Sequence, residues 1–218
     1  MAPQSPTDVS TPAKKAQVHT YIKTITSEDD QLRRNAIRKL GQLGPEAAAA
    51  LPHLRSALGH PDFVTRLEAA IAIGFIGTKE DGASLIPLLD DEVEAVRFQT
   101  LSAIAYLKAT HATPRLLAHY EHETVYVKDQ ILRALGHLGG PDAYSLLERE
   151  LQADNPTIRI GAIVGLSILG EQRAYPQLKK VAETDSDELV AHEAKIALIQ
   201  LQESKPQDSK KSNPNYKS

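Results

Sequence analysis

The chain has 218 residues, of which 41% are hydrophobic and 24% are charged, so it holds enough apolar material for a folded core. It has no cysteine, which excludes disulfides and thiolate metal sites, and its formal net charge of -3 gives no general attraction for nucleic acid. No apolar run approaches the roughly 18 residues of a membrane-spanning helix, and no signal-peptide pattern stands near the start. We therefore expect a cytoplasmic protein with no membrane contact.

Polar segments are predicted to flank a single folded domain. Residues 1–12 are rich in Pro, Ser and Thr, and residues 203–218 are polar with several lysines, so both are expected to be disordered. Residues 13–202 carry the apolar pattern and should form the folded domain.

Short helices are predicted at regular positions along this domain. Pro45 and Pro141 each follow a glycine and precede an acid, which is typical of one helix ending and the next beginning. The predicted short helices, in chain order, are residues 13–27, 46–58, 80–89, 112–121, 141–152 and 172–183.

A longer amphipathic helix follows each short one, at intervals of 31 to 33 residues. These segments are residues 32–44, 65–77, 96–108, 127–139, 158–170 and 190–202. The second position is basic in the first five segments, as Arg33, Arg66, Arg97, Lys128 and Arg159, and apolar residues follow at helical spacing. One helix pair cannot bury its apolar face alone, so the pattern predicts an all-α fold, a solenoid of six stacked pairs.

The repeating unit resembles a HEAT repeat in a short form of about 30 residues, in particular the HEAT-like repeats of phycocyanobilin lyases. The shared motif is an acid, then Val or Ile followed by Arg, then Ala, Leu-Gly and Leu-Gly, and the resemblance covers residues 13–202. It implies an α-solenoid whose second helices line a concave surface. It also implies that the basic series forms a ladder of ion pairs with acids of its own or the adjacent unit. The alternative is a phosphate-binding stripe, which the acidic net charge disfavours.

Apolar side chains stand on the second helices where a solvated surface would be polar. With the basic residue as position zero, offsets 1, 5 and 9 lie opposite the core. In units two, three and five these offsets hold Leu67, Ile71, Phe75, Phe98, Tyr106, Ile160, Val164 and Ile168, which we call the predicted patch. Arg34, Arg38 and Arg133 are predicted to rim it. An apolar centre with a charged rim is typical of a protein interface, although superhelical twist could instead bury these positions between units.

Histidine and acid positions do not predict a metal site. The HEAT-like units of deoxyhypusine hydroxylase bind iron through His-Glu pairs in this part of the helices, but only His192-Glu193 stands in that register here. A single pair cannot build a di-iron site, and His111, His119 and His122 lack a well-placed carboxylate. We expect no metal, no cofactor and no catalytic residue.

Two functions compete at this level. The first is a non-catalytic scaffold or adaptor, not an enzyme, that binds another protein on its concave face. The alternative, which rests on the resemblance, is a phycobilin lyase-type factor that binds a bilin or a bilin-bearing protein, with Arg34 and Arg38 near the propionates. Nucleic acid is not an expected partner, because Arg133 is mixed with Asp129 and Glu68 on the same face.

Overall fold

The computed structural model describes residues 12–203, and every regular element in this part of the chain is a helix. The α-helices are α1 (Pro12–Thr24), α2 (Asp30–Leu43), α3 (Leu51–Ala57), α4 (Phe63–Ile76), α5 (Glu94–Tyr106), α6 (Thr113–Tyr120), α7 (Val125–Leu138), α8 (Pro141–Glu150), α9 (Pro156–Leu169), α10 (Tyr175–Thr184) and α11 (Glu188–Glu203). Short 3-10 helices cover Gly44–Ala50, Lys79–Asp90, Thr110–Ala112 and Gln172–Ala174. The segments predicted to be disordered, 1–12 and 203–218, lie outside the described residues except for Pro12, which begins α1, and Glu203, which ends α11.

The elements form two layers that stack in chain order. Each of the helices α2, α4, α5, α7, α9 and α11 lies against the next one in that series. The shorter elements, with the 3-10 helix Lys79–Asp90 serving as the first helix of unit three, cover the other side. The predicted all-α solenoid of six helix pairs is confirmed, and its core is a continuous series of buried aliphatic side chains.

Proline divides the first helices. The helices predicted over 46–58, 112–121 and 172–183 each begin as a 3-10 segment and become α-helical one residue before Pro52, Pro114 or Pro176. In the first turn a proline removes no helical hydrogen bond, because the amide it lacks would have no partner there. These three prolines therefore mark the starts of α3, α6 and α10 and cause no break within them. Pro87, in contrast, lies inside the 3-10 helix Lys79–Asp90.

The second helices approach one another through small residues. A Cβ added at Gly136 would lie 2.5 Å from the carbonyl oxygen of Gly165, and one added at Gly74 would lie 3.1 Å from the Cβ of Ala103. Side chains of ordinary size would separate these helices. The small residues thus fix the distance between adjacent units and leave shallow channels on the exposed side of the second helices.

Candidate functional site

A groove runs across α2, α4 and α5, the second helices of units one to three. It consists of two cavities of about 370 and 130 Å³ that share Ile71 and Phe75 as lining residues and therefore adjoin each other. The side chains along it are Arg38, Gln42, Glu68, Ile71, Phe75, Gln99, Ser102 and Tyr106. We call this the α2–α4–α5 groove.

Helical spacing places these side chains together. Ile71 and Phe75 are four residues apart on α4, and Ser102 and Tyr106 are four apart on α5, so each pair shares one helix face. Gly41 and Gly74 lie at the floor, where the absence of a side chain gives the groove its depth. The groove is thus a consequence of close helix packing below and longer side chains above.

Two aromatic rings dominate the apolar part of the groove. Phe75 is 51% exposed and Tyr106 is 67% exposed, and their rings meet edge to face with centroids 5.6 Å apart. Large apolar side chains exposed as a contiguous group are typical of a surface that binds a ligand or partner.

A second aromatic pair lies further along the solenoid. Phe98 of α5 stacks on Tyr126 of α7 with centroids 4.6 Å apart, and Tyr126 is itself exposed. Sequence reasoning missed Tyr126 because it considered offsets 1, 5 and 9 only. Tyr126 lies two residues before Lys128, a position that the same 100° periodicity puts on the same helix face, so extending the pattern backwards would have found it.

The structure divides the predicted patch. Ile71, Phe75 and Tyr106 line the groove, whereas Leu67 and Ile160 are partly buried against the core. The unit-five residues Ile160, Val164 and Ile168 lie on α9, which α7 separates from α5. Some members of the predicted patch are therefore partly buried, and others are exposed to solvent.

The predicted rim arginines are paired with carboxylates. Arg34 donates from Nε and Nη2 to Asp62 at 2.9 and 2.8 Å, and Arg38 donates from the same two atoms to Oε1 of Glu68 at 3.1 and 2.6 Å. The hydrogen bond to Glu68 raises the pKa of Arg38 above its usual value, and the Arg38 side chain remains 48% exposed. The groove edge therefore carries a permanent but locally balanced positive charge.

Charges on α7 are balanced in the same way. Arg133 donates from Nε to Oδ2 of Asp129, four residues earlier, at 2.9 Å. Gln130 of α7 donates to the hydroxyl of Ser102 at 2.8 Å, which ties α7 to the end of the groove. Polar side chains of α7 thus separate the groove from the apolar residues of α9.

The predicted ion-pair ladder is confirmed at three unit boundaries. Bidentate pairs join Arg66 to Asp91 at 2.6 and 2.9 Å, and both Arg97 to Glu123 and Arg159 to Asp185 at 2.9 Å for each bond. In each pair the carboxylate comes from the turn that precedes the next second helix. These guanidinium groups are occupied, so they do not form a stripe open to phosphate.

The other two basic residues of the series depart from the ladder. Lys128 Nζ lies 4.0 Å from a carboxylate oxygen of Glu121 and 5.1 Å from the centroid of the Tyr120 ring. Arg33 is buried and bonds to Thr65, to Asp30 and to the carbonyl of Ser27.

Two kinds of feature are absent from residues 12–203. Within this range, no helix has both the length and the apolar character needed to cross a bilayer. The same residues bring together no group of three or more His, Asp or Glu side chains able to hold a metal ion.

Sequence relatives place these repeats in a known group. The family of HEAT repeats matches residues 20–105 and 113–199. The phycocyanobilin lyase subunit alpha of Nostoc sp. (strain PCC 7120) is 29% identical over 198 residues, which are 82% of this chain and 71% of that protein. The subunit of the same name from Picosynechococcus sp. (strain PCC 7002) is 27% identical over 173 residues, 73% of this chain and 64% of that protein.

Solved structures agree on the architecture. A chain of the complex of CpcE and CpcF of phycocyanin lyase from Nostoc sp. PCC7120 is 25% identical, with a TM-score of 0.52 over 86% of this chain and 83% of that one. A designed armadillo repeat protein in complex with the peptide (KR)4 has a TM-score of 0.61 at 21% identity, covering 84% of this chain and 99% of that one, and supports the fold alone. With its repeats matched over most of its length, the chain belongs to the HEAT-repeat family.

Proposed function

We propose that this chain is a phycobilin lyase-type subunit that binds a bilin in the α2–α4–α5 groove. The observation that carries the proposal is the similarity to two phycocyanobilin lyase alpha subunits over 82% and 73% of the chain. These relatives favour the lyase-type alternative over the non-catalytic scaffold that we expected first. Protein interaction, which HEAT repeats support, is common to both.

The chemistry of the groove suits such a ligand. A bilin is an open-chain tetrapyrrole with flat apolar rings, polar pyrrole nitrogens and two propionate groups. Phe75 and Tyr106 offer exposed ring surface for stacking, and Gln99 and Ser102 offer hydrogen-bonding groups beside them. Arg38 lies at the edge, where its half-exposed guanidinium can meet a propionate carboxylate.

The composition limits the part that this chain can take in a lyase reaction. It has no cysteine, so any thiol that takes part must come from the acceptor protein or from another subunit. The role proposed for the groove is therefore to bind and orient the bilin. The similar chain in the CpcE–CpcF complex supports the further proposal that this protein works with a second subunit.

The proposal is tested by titrating the purified chain with phycocyanobilin and following its long-wavelength absorbance. We expect a saturable change in the wild type and a loss of affinity of about tenfold or more in Phe75→Asp, because a carboxylate replaces the ring and repels the propionates. Phe63→Asp is the matched control, since Phe63 is also on α4, is 44% exposed and lines neither cavity of the groove. An unchanged wild-type spectrum, or equal affinity in the two variants, would contradict the proposal.

Binding of a protein without bilin is the second candidate function. The observation that favours it is the exposed aromatic pair Phe75 and Tyr106 beside the Arg38–Glu68 ion pair, an arrangement of apolar centre and charged edge found at protein interfaces. If bilin leaves the spectrum unchanged while Phe75→Asp still abolishes capture of a phycobiliprotein, this second function replaces the first.

A further inference from the structure

We call each bidentate ion pair of the ladder a complete rung. Two of the three complete rungs, those of Asp91 and Asp185, share a second feature. Oδ1 of Asp91 accepts a hydrogen bond from the amide of Val93 at 2.9 Å, and Oδ1 of Asp185 accepts one from the amide of Asp187 at 2.9 Å. Each of these carboxylates therefore supports its own turn and also binds the arginine of the preceding unit. Both acids stand six residues before the ladder position of the next unit.

At the first unit boundary the equivalent residue is His60. It stands six residues before Arg66, and its Nδ1 accepts the amide of Asp62 at 3.0 Å, which is the same turn bond that Asp91 and Asp185 make. Because Nδ1 accepts a hydrogen bond, the neutral ring carries its proton on Nε2. At this boundary the N–H donor of His60 therefore stands where Asp91 and Asp185 place a carboxylate, and no acid stands at this position to pair with Arg33.

A cavity of about 290 Å³ lies at this incomplete rung. It is lined by Arg33, His60, Ser27, His53 and Ser56, with Ile25 and Ala57 as the apolar part of its wall. The side chain of Arg33 is only 6% exposed, so a charged group lies almost completely buried at the cavity. A buried cation beside histidine and serine donors is a favourable environment for an anion.

Arg33 is only partly satisfied by its neighbours. Its Nε donates to Oγ1 of Thr65 at 3.2 Å, its Nη1 to the carbonyl of Ser27 at 2.7 Å, and its Nη2 to Asp30. A guanidinium has five N–H groups, so one on each terminal nitrogen has no partner among residues 12–203. Asp30 is largely exposed, lies on the same helix as Arg33 and also reaches Arg34, so it differs from the ladder acids, which come from the turn of the next unit.

The boundary between units five and six provides the internal comparison. A cavity of about 350 Å³ lies there too, and it is lined by Arg159 together with Asp185, the acid that binds Arg159. A cavity at this place is therefore a feature of the repeat itself. What distinguishes the first boundary is that His60 stands at the position of Asp185, while Arg33 bonds to Thr65 and Asp30. The turn acid of this boundary, Asp62, is bound by Arg34.

We propose that the cavity at Arg33 and His60 binds the carboxylate of a small organic acid, beside the imidazole that stands at the position of Asp91 and Asp185 in the other units. The two unpaired N–H groups, one on Nη1 and one on Nη2 of Arg33, bind the carboxylate oxygens, and Nε2 of His60 adds a further donor. The apolar part of the acid lies against Ile25 and Ala57. This site is separate from the α2–α4–α5 groove and does not depend on the function proposed for that groove.

The test is a titration of the isotope-labelled full chain with succinate, at constant ionic strength maintained with chloride, followed by NMR. We expect saturable shifts confined to the signals of Ser27, Arg33, Ser56 and His60, and no shifts with dimethyl succinate. A parallel titration with the peptide acetyl-Gly-Glu-Gly-amide separates the two sources of a carboxylate. Tighter binding of succinate supports a free acid, whereas tighter binding of the peptide assigns the site to an acidic side chain and overturns the small-acid proposal.

Variants at position 60 give the sharper result. His60→Asp supplies the missing internal carboxylate, so succinate should bind about tenfold more weakly or not at all, and the melting temperature should rise. His60→Asn keeps the turn bond without supplying a charge and should still bind succinate. If the wild type shows no saturable shift, or if His60→Asp binds as well as His60→Asn, the proposal is wrong.

Discussion

Replacing Asp91 by asparagine removes the negative charge from the ladder while keeping the shape of the side chain. The pair that it breaks is well shielded, since the side chains of Arg66 and Asp91 are 11% and 7% exposed. The carboxamide oxygen of the introduced side chain can still accept the amide of Val93, so the turn itself is preserved. The substitution Asp91→Asn thus tests the charge of the rung without changing the local backbone.

The expected cost follows from what Arg66 retains. Removal of one partner from a buried ion pair costs about 3–5 kcal/mol, because the other charge stays buried without compensation. Arg66 keeps hydrogen bonds to the carbonyls of His60 and Pro61 at 2.9 and 3.0 Å, and exposed Glu92 lies 3.7 Å away. We therefore expect a loss of about 2–3 kcal/mol, which lowers the melting temperature of a chain of this size by about 4–12 °C.

The neighbouring residue gives a matched control. Asp90 pairs with Arg115 at 2.5 Å, but these side chains are 52% and 47% exposed, so Asp90→Asn should cost less than about 1 kcal/mol. Thermal and urea unfolding of both variants at neutral pH, followed by circular dichroism, measure the difference. Equal losses for the two variants would refute the argument that the buried ladder differs from ordinary surface ion pairs.

Two further predictions concern helix packing and acid stability. Gly136→Ala should destabilise the protein by about 1–3 kcal/mol in the same unfolding assay, because the new Cβ would lie 2.5 Å from the Gly165 oxygen. The higher helix propensity of Ala offsets only part of this loss. A gain in stability would disprove the close approach. Burial opposes ionisation of Asp91 and Asp185, but the hydrogen bonds from arginine and backbone, together with the arginine charge, outweigh it and hold each pKa below its usual value. Their contribution is therefore complete above the ordinary carboxyl pKa of about 4 and is lost as the pH falls through the lower folded-state pKa. The melting temperature should stay level from about pH 5 to 8 and decrease below about pH 4, and a value at pH 3 equal to that at pH 7 would contradict this assignment.

The ion-pair ladder shows what residue spacing alone can predict. The steady interval between Arg66 and Arg97, and the acids before each second helix, are enough to predict ion pairs between units. The same spacing does not show that His60 makes the turn bond of an acid, because His60 is simply a non-acidic residue in the printed sequence. Whether His60 makes this bond depends on the orientation of its imidazole ring, which is set by the tertiary structure.

The groove shows which part of the candidate site could not be predicted from residue spacing. Helical periodicity predicts one common face for Ile71, Phe75 and Tyr106, because such a face is a property of single helices, and these three side chains line the same cavity. It could not separate them from Leu67, which has the same spacing but is partly buried. Burial at that position depends on how adjacent helices are displaced and rotated against each other.

The amino-acid sequence by itself determined the helix pairs, their number and their order of stacking, because hydrophobic periodicity and repeat length are local properties read along the chain. Only the tertiary structure decided which exposed side chains of the second helices meet in a groove and at which boundary a histidine stands at the position of the acid. These features depend on small offsets between neighbouring units, set by close contacts such as Gly74 on Ala103. Contacts of that kind join residues about 30 positions apart, so no short segment contains the information that specifies them.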